Sequence, residues 1–149
     1  MDDLDRFDRR ILDILAEQGR ISVVALAEKI GLSKTPTLGR LKRLERSGII
    51  LGYGAFVDHE RLDRGHVAFV QVSLADTRTE ALTAFNNAVR QTAEITDCHM
   101  IAGNFDYLLK VRSRDINDYR RILGEVISSL PHVSHTSTFV AMEMVKEQR

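Results

Sequence analysis

The chain has almost no cysteine, no net charge and no long apolar run. A single cysteine, Cys98, in 149 residues rules out an intramolecular disulfide and a cysteine-rich metal site. Lysine plus arginine and aspartate plus glutamate both number 21, so the formal charge is zero. A protein that coats nucleic acid by bulk charge would be basic overall, so any DNA contact here has to be local and geometric. Zero net charge also favours self-association. No window approaches the roughly 18 apolar residues of a membrane span. The start MDDLDRFDRR is acidic and mixed, without the apolar core of a signal peptide. A cytoplasmic chain is expected. The histidines His59, His66, His99, His132 and His135 are scattered, and no third ligand accompanies His132 and His135. Neither a metal nor a cofactor is expected.

The most informative stretch is SVVALAEKIGLSKTPTLGRLKRLERSG, residues 22–48. Val24, Ala27 and Ile30 point one helix inward, and Gly31-Leu32 makes a tight turn. Ser33 is a good N-cap for a second helix, with Pro36 in the first turn where a missing N–H costs nothing. At about 100° per residue Leu38, Leu41 and Leu44 share one stripe of it. Thr35, Gly39, Arg40, Arg43 and Arg46 fall largely opposite, and Lys34 and Lys42 add charge. Hydroxyls and guanidiniums bind phosphates, and arginine also pairs with guanine in the major groove. The pattern reads as a helix-turn-helix presenting its second helix to DNA.

The rest of the chain organises around it. Residues 5–18 carry Phe7, Ile11, Ile14 and Leu15 at helical spacing, with Asp8 and Asp13 on other faces. Residues 49–57, IILGYGAFV, read as a short strand or wing. The charged stretch 58–65, DHERLDRG, reads as a linker. Thereafter come a strand (66–74), a helix (79–92), strands at 95–103 and 105–113 joined by a tight Gly103-Asn104 turn, a helix (115–130) closed by Pro131, and a strand (134–145). The expected fold is therefore α+β: a winged helix-turn-helix over residues 1–57, then a ferredoxin-like βαββαβ domain over 66–149.

Helices on one side of such a sheet leave its other face bare. Val70, Val72, Met100 and Phe139, or their strand neighbours, would line that face, at a cost of about 1.5–3 kcal/mol each in water. A partner subunit is the expected cover, and a two-fold dimer would present two recognition helices to two half-sites.

These pieces, in this order and spacing, resemble the Lrp/AsnC (feast/famine) transcriptional regulators over essentially the whole chain. The matching motifs are Asp5-Arg-Phe-Asp8 leading to Ile11-Leu12, GRIS at 19–22, GLS at 31–33, RLERSGII at 43–50 and GY at 52–53. In the second half they are CHMIAGNFDYLLKV (98–111), YRRILGE (119–125), LPHV (130–133) and TSTFVAMEMVK (136–146). The resemblance implies a DNA-binding regulator of amino-acid metabolism that forms homodimers, often assembled to octamers, and responds to a small amino acid held between effector domains. On the helix-turn-helix reading the DNA-binding residues are Ser33, Lys34, Thr35, Pro36, Gly39, Arg40, Lys42, Arg43 and Arg46. Arg40 and Arg43 are then expected on base edges or phosphates, Thr35 and Lys42 on phosphate, and Ser33 capping the helix. The resemblance adds the effector site: it places the effector near Gly103, Asn104, Asp106 and Tyr107, with Met100, Thr136, Thr138 and Phe139 in the response region.

An amino acid needs a carboxylate for its ammonium and N–H or hydroxyl groups for its own carboxylate. Asp106 offers the first, and the Gly103-Asn104 turn and threonines the second. Asp106 equally suits the simpler role of capping a hairpin. Two positions depart from the family. Asn104 stands where a second acid is common, and Gly39 where glutamate is frequent; Gly39 also costs the helix about 1 kcal/mol against alanine. The effector is left open, with proline or a branched-chain residue favoured. Two other readings stand beside the regulator. One is a decarboxylase of sirohaem-type tetrapyrroles on the same scaffold, using His99, Arg112, His132 and His135. The other is a DNA-organising protein without a ligand.

Overall fold

The computed structural model describes residues 4–147. They form two compact units, one ending at Phe56 and one starting at Val57.

The first unit holds α1 (Arg6–Glu17), α2 (Val23–Ile30) and α3 (Lys34–Arg46). A reciprocal cap starts α1: the Asp5 carboxylate accepts from the Phe7 and Asp8 N–H groups, and Asp8 accepts from the Asp5 N–H. Ser22 caps α2 through the Ala25 N–H at 3.2 Å. Gly31, at φ 74°, ends α2 in the left-handed region that glycine enters without penalty, and this swings the chain into α3. Ile11, Ile14, Leu26, Ile30 and Leu44 form the core, with Leu41 and Ile50 packed on it.

Several expectations change here. Val24 is half-exposed, and Leu26 takes its place in the core beside Ala27 and Ile30. Ser33 occupies the cap position of α3, but its hydroxyl makes no cap bond. Instead the Thr37 hydroxyl, fully buried, donates to the Ser33 carbonyl at 2.9 Å. Asp8, expected on an outer face, is also fully buried. Residues 49–56 join no strand ladder, and Ile49 and Ile50 form a bend. The Ile49 and Ile50 N–H groups instead both donate to the Leu44 carbonyl at 3.1 Å and close the end of α3. Leu51, Tyr53 and Phe56 stay exposed, and the Tyr53 hydroxyl donates to Glu45 at 2.9 Å.

The second unit runs β1 (His66–Leu74), α4 (Thr79–Gln91), β2 (Ile95–Met100), β3 (Tyr107–Ser113), α5 (Ile116–Glu125), a 3₁₀ turn (Ile127–Ser129) and β4 (Val133–Val140). The sheet order β2-β3-β1-β4, antiparallel throughout, is the ferredoxin-like arrangement. One face carries Ala68, Val70, Val72, Tyr107, Leu109 and Val111 against Phe85 and Val89 of α4 and Tyr119 and Ile122 of α5. The Phe85 and Tyr107 rings meet at 4.4 Å.

Val70 and Val72 therefore lie under the helices, not on the open face. Met100 pairs with Tyr107 and belongs to the same set. The open face is carried by their neighbours Phe69, Leu108, Lys110 and Arg112, together with Phe139. Two-residue alternation separates the two sets without saying which one the helices cover.

Three boundaries also move. The β2–β3 connection takes residues 101–106 and is closed by the Ile101 N–H to the Asp106 carbonyl at 2.8 Å. Neither Gly103 nor Asn104 has the positive φ that a two-residue hairpin turn of the favoured kind demands. Helix α5 stops at Glu125, five residues short of Leu130, where the chain tightens into the 3₁₀ turn. Strand β4 ends at Val140, after which the chain returns so that the Glu147 carboxylate accepts from Arg112 and Lys110 of β3. Residues 58–65 are a compact turn, with the Leu62 and Arg64 N–H groups on the His59 carbonyl at 3.3 and 2.8 Å.

Candidate nucleic-acid interface and effector loop

Along α3, Thr35, Gly39, Lys42 and Arg46 lie within about 40° of the point opposite buried Thr37, by the 100° helical step. All four are exposed, as are Lys34 and Pro36. They make one outward face of hydroxyl, bare backbone and cations. Gly39 has open space where a side chain would stand, so a ligand backbone can approach it closely. Lys34, Lys42 and Arg46 have no acidic partner among the described residues.

Arg40 and Arg43 are placed differently. Arg40 Nη1 donates to Asp5 Oδ2 at 2.6 Å and Asp8 Oδ1 at 2.9 Å, and its guanidinium lies 5.3 Å from the Phe7 ring centre. Arg43 Nη2 donates to Asp8 Oδ2 at 2.5 Å. The N–H groups of Asp8 and Phe7 and the Arg40 guanidinium hold the Asp5 carboxyl at about 2 against an ordinary 3.8, although its partial desolvation pulls the other way. The sequence held a signal for Asp8: it precedes Ile11 by three residues and so shares the inner side of α1.

In the second unit the effector residues divide. Met100, Tyr107 and Thr136 fall on one cross-strand row with Val72 between the last two. Tyr107 is buried, and its hydroxyl has no partner that meets hydrogen-bond geometry; burial pushes its pKa up. Thr138 meets the Tyr119 hydroxyl at 2.5 Å, whereas Phe139 points to the open face. Gly103 and Asn104 are exposed at the loop tip. Asp106 is half-buried, and its Oδ2 accepts from the Leu74 N–H at 2.7 Å. The capping role is therefore filled by one oxygen, and the other accepts no hydrogen bond among the described residues.

Residues 4–50 match the family model described as winged helix-turn-helix DNA-binding. Residues 67–149 match the Lrp/AsnC ligand binding domain. The chain belongs to the Lrp/AsnC family. The chain is 59% identical to a proline dehydrogenase transcriptional activator of Rhizobium radiobacter, over 98% of this chain and 94% of that one. It is 47% identical to the leucine-responsive regulatory protein of Escherichia coli K12, over 97% and 88%. Among solved structures, a Neisseria meningitidis transcriptional regulator in complex with L-Met superimposes at TM-score 0.92 with 32% identity, covering 98% of this chain and 94% of the other. The chain is thus a DNA-binding transcriptional regulator carrying a ligand-binding domain, with the winged helix-turn-helix and ferredoxin-like halves that its sequence pattern predicts. No helix among the described residues is long and apolar enough to cross a membrane.

Of the residues named for a tetrapyrrole decarboxylase, His99 and His135 share the open sheet face, while Arg112 and His132 lie at opposite ends of the sheet. Arg112 pairs with Val67 at one end of the sheet, and His132 follows the turn at the other end, by Leu74. Arg112 is moreover engaged by Glu147 at 2.6 and 2.8 Å.

Proposed function

We propose that this protein is a proline-responsive transcriptional activator of proline catabolism. The observation that carries this reading is its 59% and 54% identity, across nearly its full length, to two proteins named proline dehydrogenase transcriptional activator. The DNA-binding unit presents Ser33, Lys34, Thr35, Pro36, Gly39, Lys42 and Arg46 to the major groove, with Arg40 and Arg43 flanking them. The turn at 58–65 links it to the effector unit. The effector sits at the loop of Gly103, Asn104 and Asp106, beside Met100 and Thr136, with the free Asp106 oxygen taking its ammonium. Tyr107 and Thr138 shape the response from the helix-covered face of the sheet and Phe139 from the open one. Having one acid in that loop suits an effector with one cationic nitrogen.

The open sheet face, with Phe69 and Phe139 directly opposed, is covered by a second copy in a homodimer that assembles further, towards an octamer. The protein acts in the cytoplasm and is not an enzyme. Footprinting on the DNA upstream of its own gene and of the neighbouring divergent gene, with and without each proteinogenic amino acid, tests the reading. A phased site that changes with proline supports it. Protection indifferent to every amino acid points to a DNA-organising protein, and no protection at low salt removes the DNA role.

A further inference from the structure

We propose that Asp8 is a positioning residue of the DNA interface, and that it turns Arg40 from a DNA contact into a strut that sets the recognition helix. This rests on the DNA-binding reading of α3. Asp8 is the sole fully buried acid among the described residues, and every one of its acceptor bonds comes from this interface or its own cap. Oδ1 takes Arg40 at 2.9 Å; Oδ2 takes Arg43 at 2.5 Å and the Asp5 N–H at 3.2 Å. Asp5 then takes the same Arg40 nitrogen at 2.6 Å, so one guanidinium ties both acids of α1 to the middle of α3.

Two consequences follow from charge and geometry. First, the two carboxylates cancel the two guanidiniums locally. The charge offered outward by α3 is then that of Lys34, Lys42 and Arg46, on the face that also holds Thr35 and Gly39. Second, Arg40 is three-quarters buried, engaged by two acids and laid near the Phe7 ring, so it has no freedom to follow a phosphate or a base edge. Arg43 is half-exposed, which leaves its outer nitrogens for a phosphate while Asp8 fixes the inner one. A guanidinium held from behind by a carboxylate loses less freedom on binding than a loose one. Asp8 thereby sets both the angle of α3 and the reach of Arg43.

The test uses the full chain, a duplex enriched from random sequence with the wild-type protein, and an unrelated duplex of equal length. Affinity is measured against salt concentration, and thermal unfolding runs in parallel. Lys42→Ala and Arg46→Ala are expected to lower the salt slope by about 0.9 each, with melting unchanged. Arg40→Met is expected to lower melting and to weaken the enriched duplex about tenfold or more while leaving the slope intact. Asp8→Asn should cut affinity for the enriched duplex and spare the unrelated one. Simple partial unfolding would lower both in parallel. If Asp8→Asn does not fold, Arg40→Lys carries the test, because an ammonium cannot match the guanidinium's fork and should lose selectivity at unchanged net charge.

A slope reduced by about 0.9 in Arg40→Met at unchanged melting overturns the proposal. So do melting shifts of Asp8→Asn and Arg40→Met that simply add in the double variant. A wild-type chain that binds neither duplex overturns the DNA reading itself. That failure is recognisable because the melting coupling between Asp8 and Arg40 would persist.

Discussion

The Leu74 N–H donates to Asp106 Oδ2 at 2.7 Å, tying the end of β1 to the loop before β3. That bond gives Asp106 two separable duties, anchoring the loop and presenting charge. Asp106→Asn keeps an oxygen for the Leu74 N–H and removes the charge; Asp106→Ala removes both. If Asp106 takes an effector ammonium, calorimetry with proline will show at least a tenfold loss in Asp106→Asn, with melting nearly unchanged. Asp106→Ala will in addition lose about 1 kcal/mol or more of stability. Wild-type affinity in Asp106→Asn would leave the residue as a loop cap only.

Gly39 offers a cleaner separation of stability from recognition. A methyl group added there meets nothing within 4 Å. Gly39→Ala is therefore expected to stabilise the DNA-binding unit by about 0.5–1 kcal/mol through helix propensity. It is expected at the same time to weaken or redirect DNA binding, since the methyl occupies the space that a base or sugar would use. Melting curves and enrichment of preferred duplexes, run on the same preparation, check both halves.

Acid and base act on different groups. Asp5 is held at about 2 against an ordinary 3.8, so its share of the α1–α3 tie is complete above pH 4 and is lost as the pH falls towards 2. The opposite sign holds for Tyr53, where burial and the Glu45 carboxylate push the phenol to about 12 from an ordinary 10. Its neutral form is favoured by folding, and that contribution disappears as pH rises from 10 towards 12. Burial pushes Tyr107 and Tyr119 up as well. Phenolate absorbance should accordingly stay low through pH 10 in the folded protein and rise at its ordinary midpoint in denaturant.

The return of the chain to Glu147 secures a guanidinium on the open sheet face. Arg112 is 4% exposed, and Glu147 accepts from it at 2.6 and 2.8 Å. Removing the carboxylate leaves a buried cation with only the Arg64 carbonyl, at 3.3 Å. Glu147→Ala should destabilise the effector unit by about 1–3 kcal/mol. The double variant Glu147→Ala/Arg112→Met should recover much of that loss, as chemical denaturation would show.

Most of the fold was legible in the order of residues, because periodicity and caps are local. The 3.6-residue spacing of Ile11, Ile14 and Leu15, the turn at Gly31 and the alternation of 66–74 each depend on neighbours in the chain. Those neighbours are present before any folding. The family motifs are legible for the same reason, and with them the DNA-binding and ligand-binding halves. Side-chain engagement was not legible. Nothing within a few residues of Arg40 announces Asp5 and Asp8, which lie more than thirty positions away and meet it only when α1 packs on α3. The same holds for the tie of Glu147 to Arg112, and for the choice of which sheet face the helices cover. A spacing rule says which residues share a side; it carries no information about what the rest of the chain brings to that side. Tertiary packing made that choice, by burying the Val70 and Val72 set under α4 and α5 and by burying one carboxylate, Asp8, where two arginines could neutralise it.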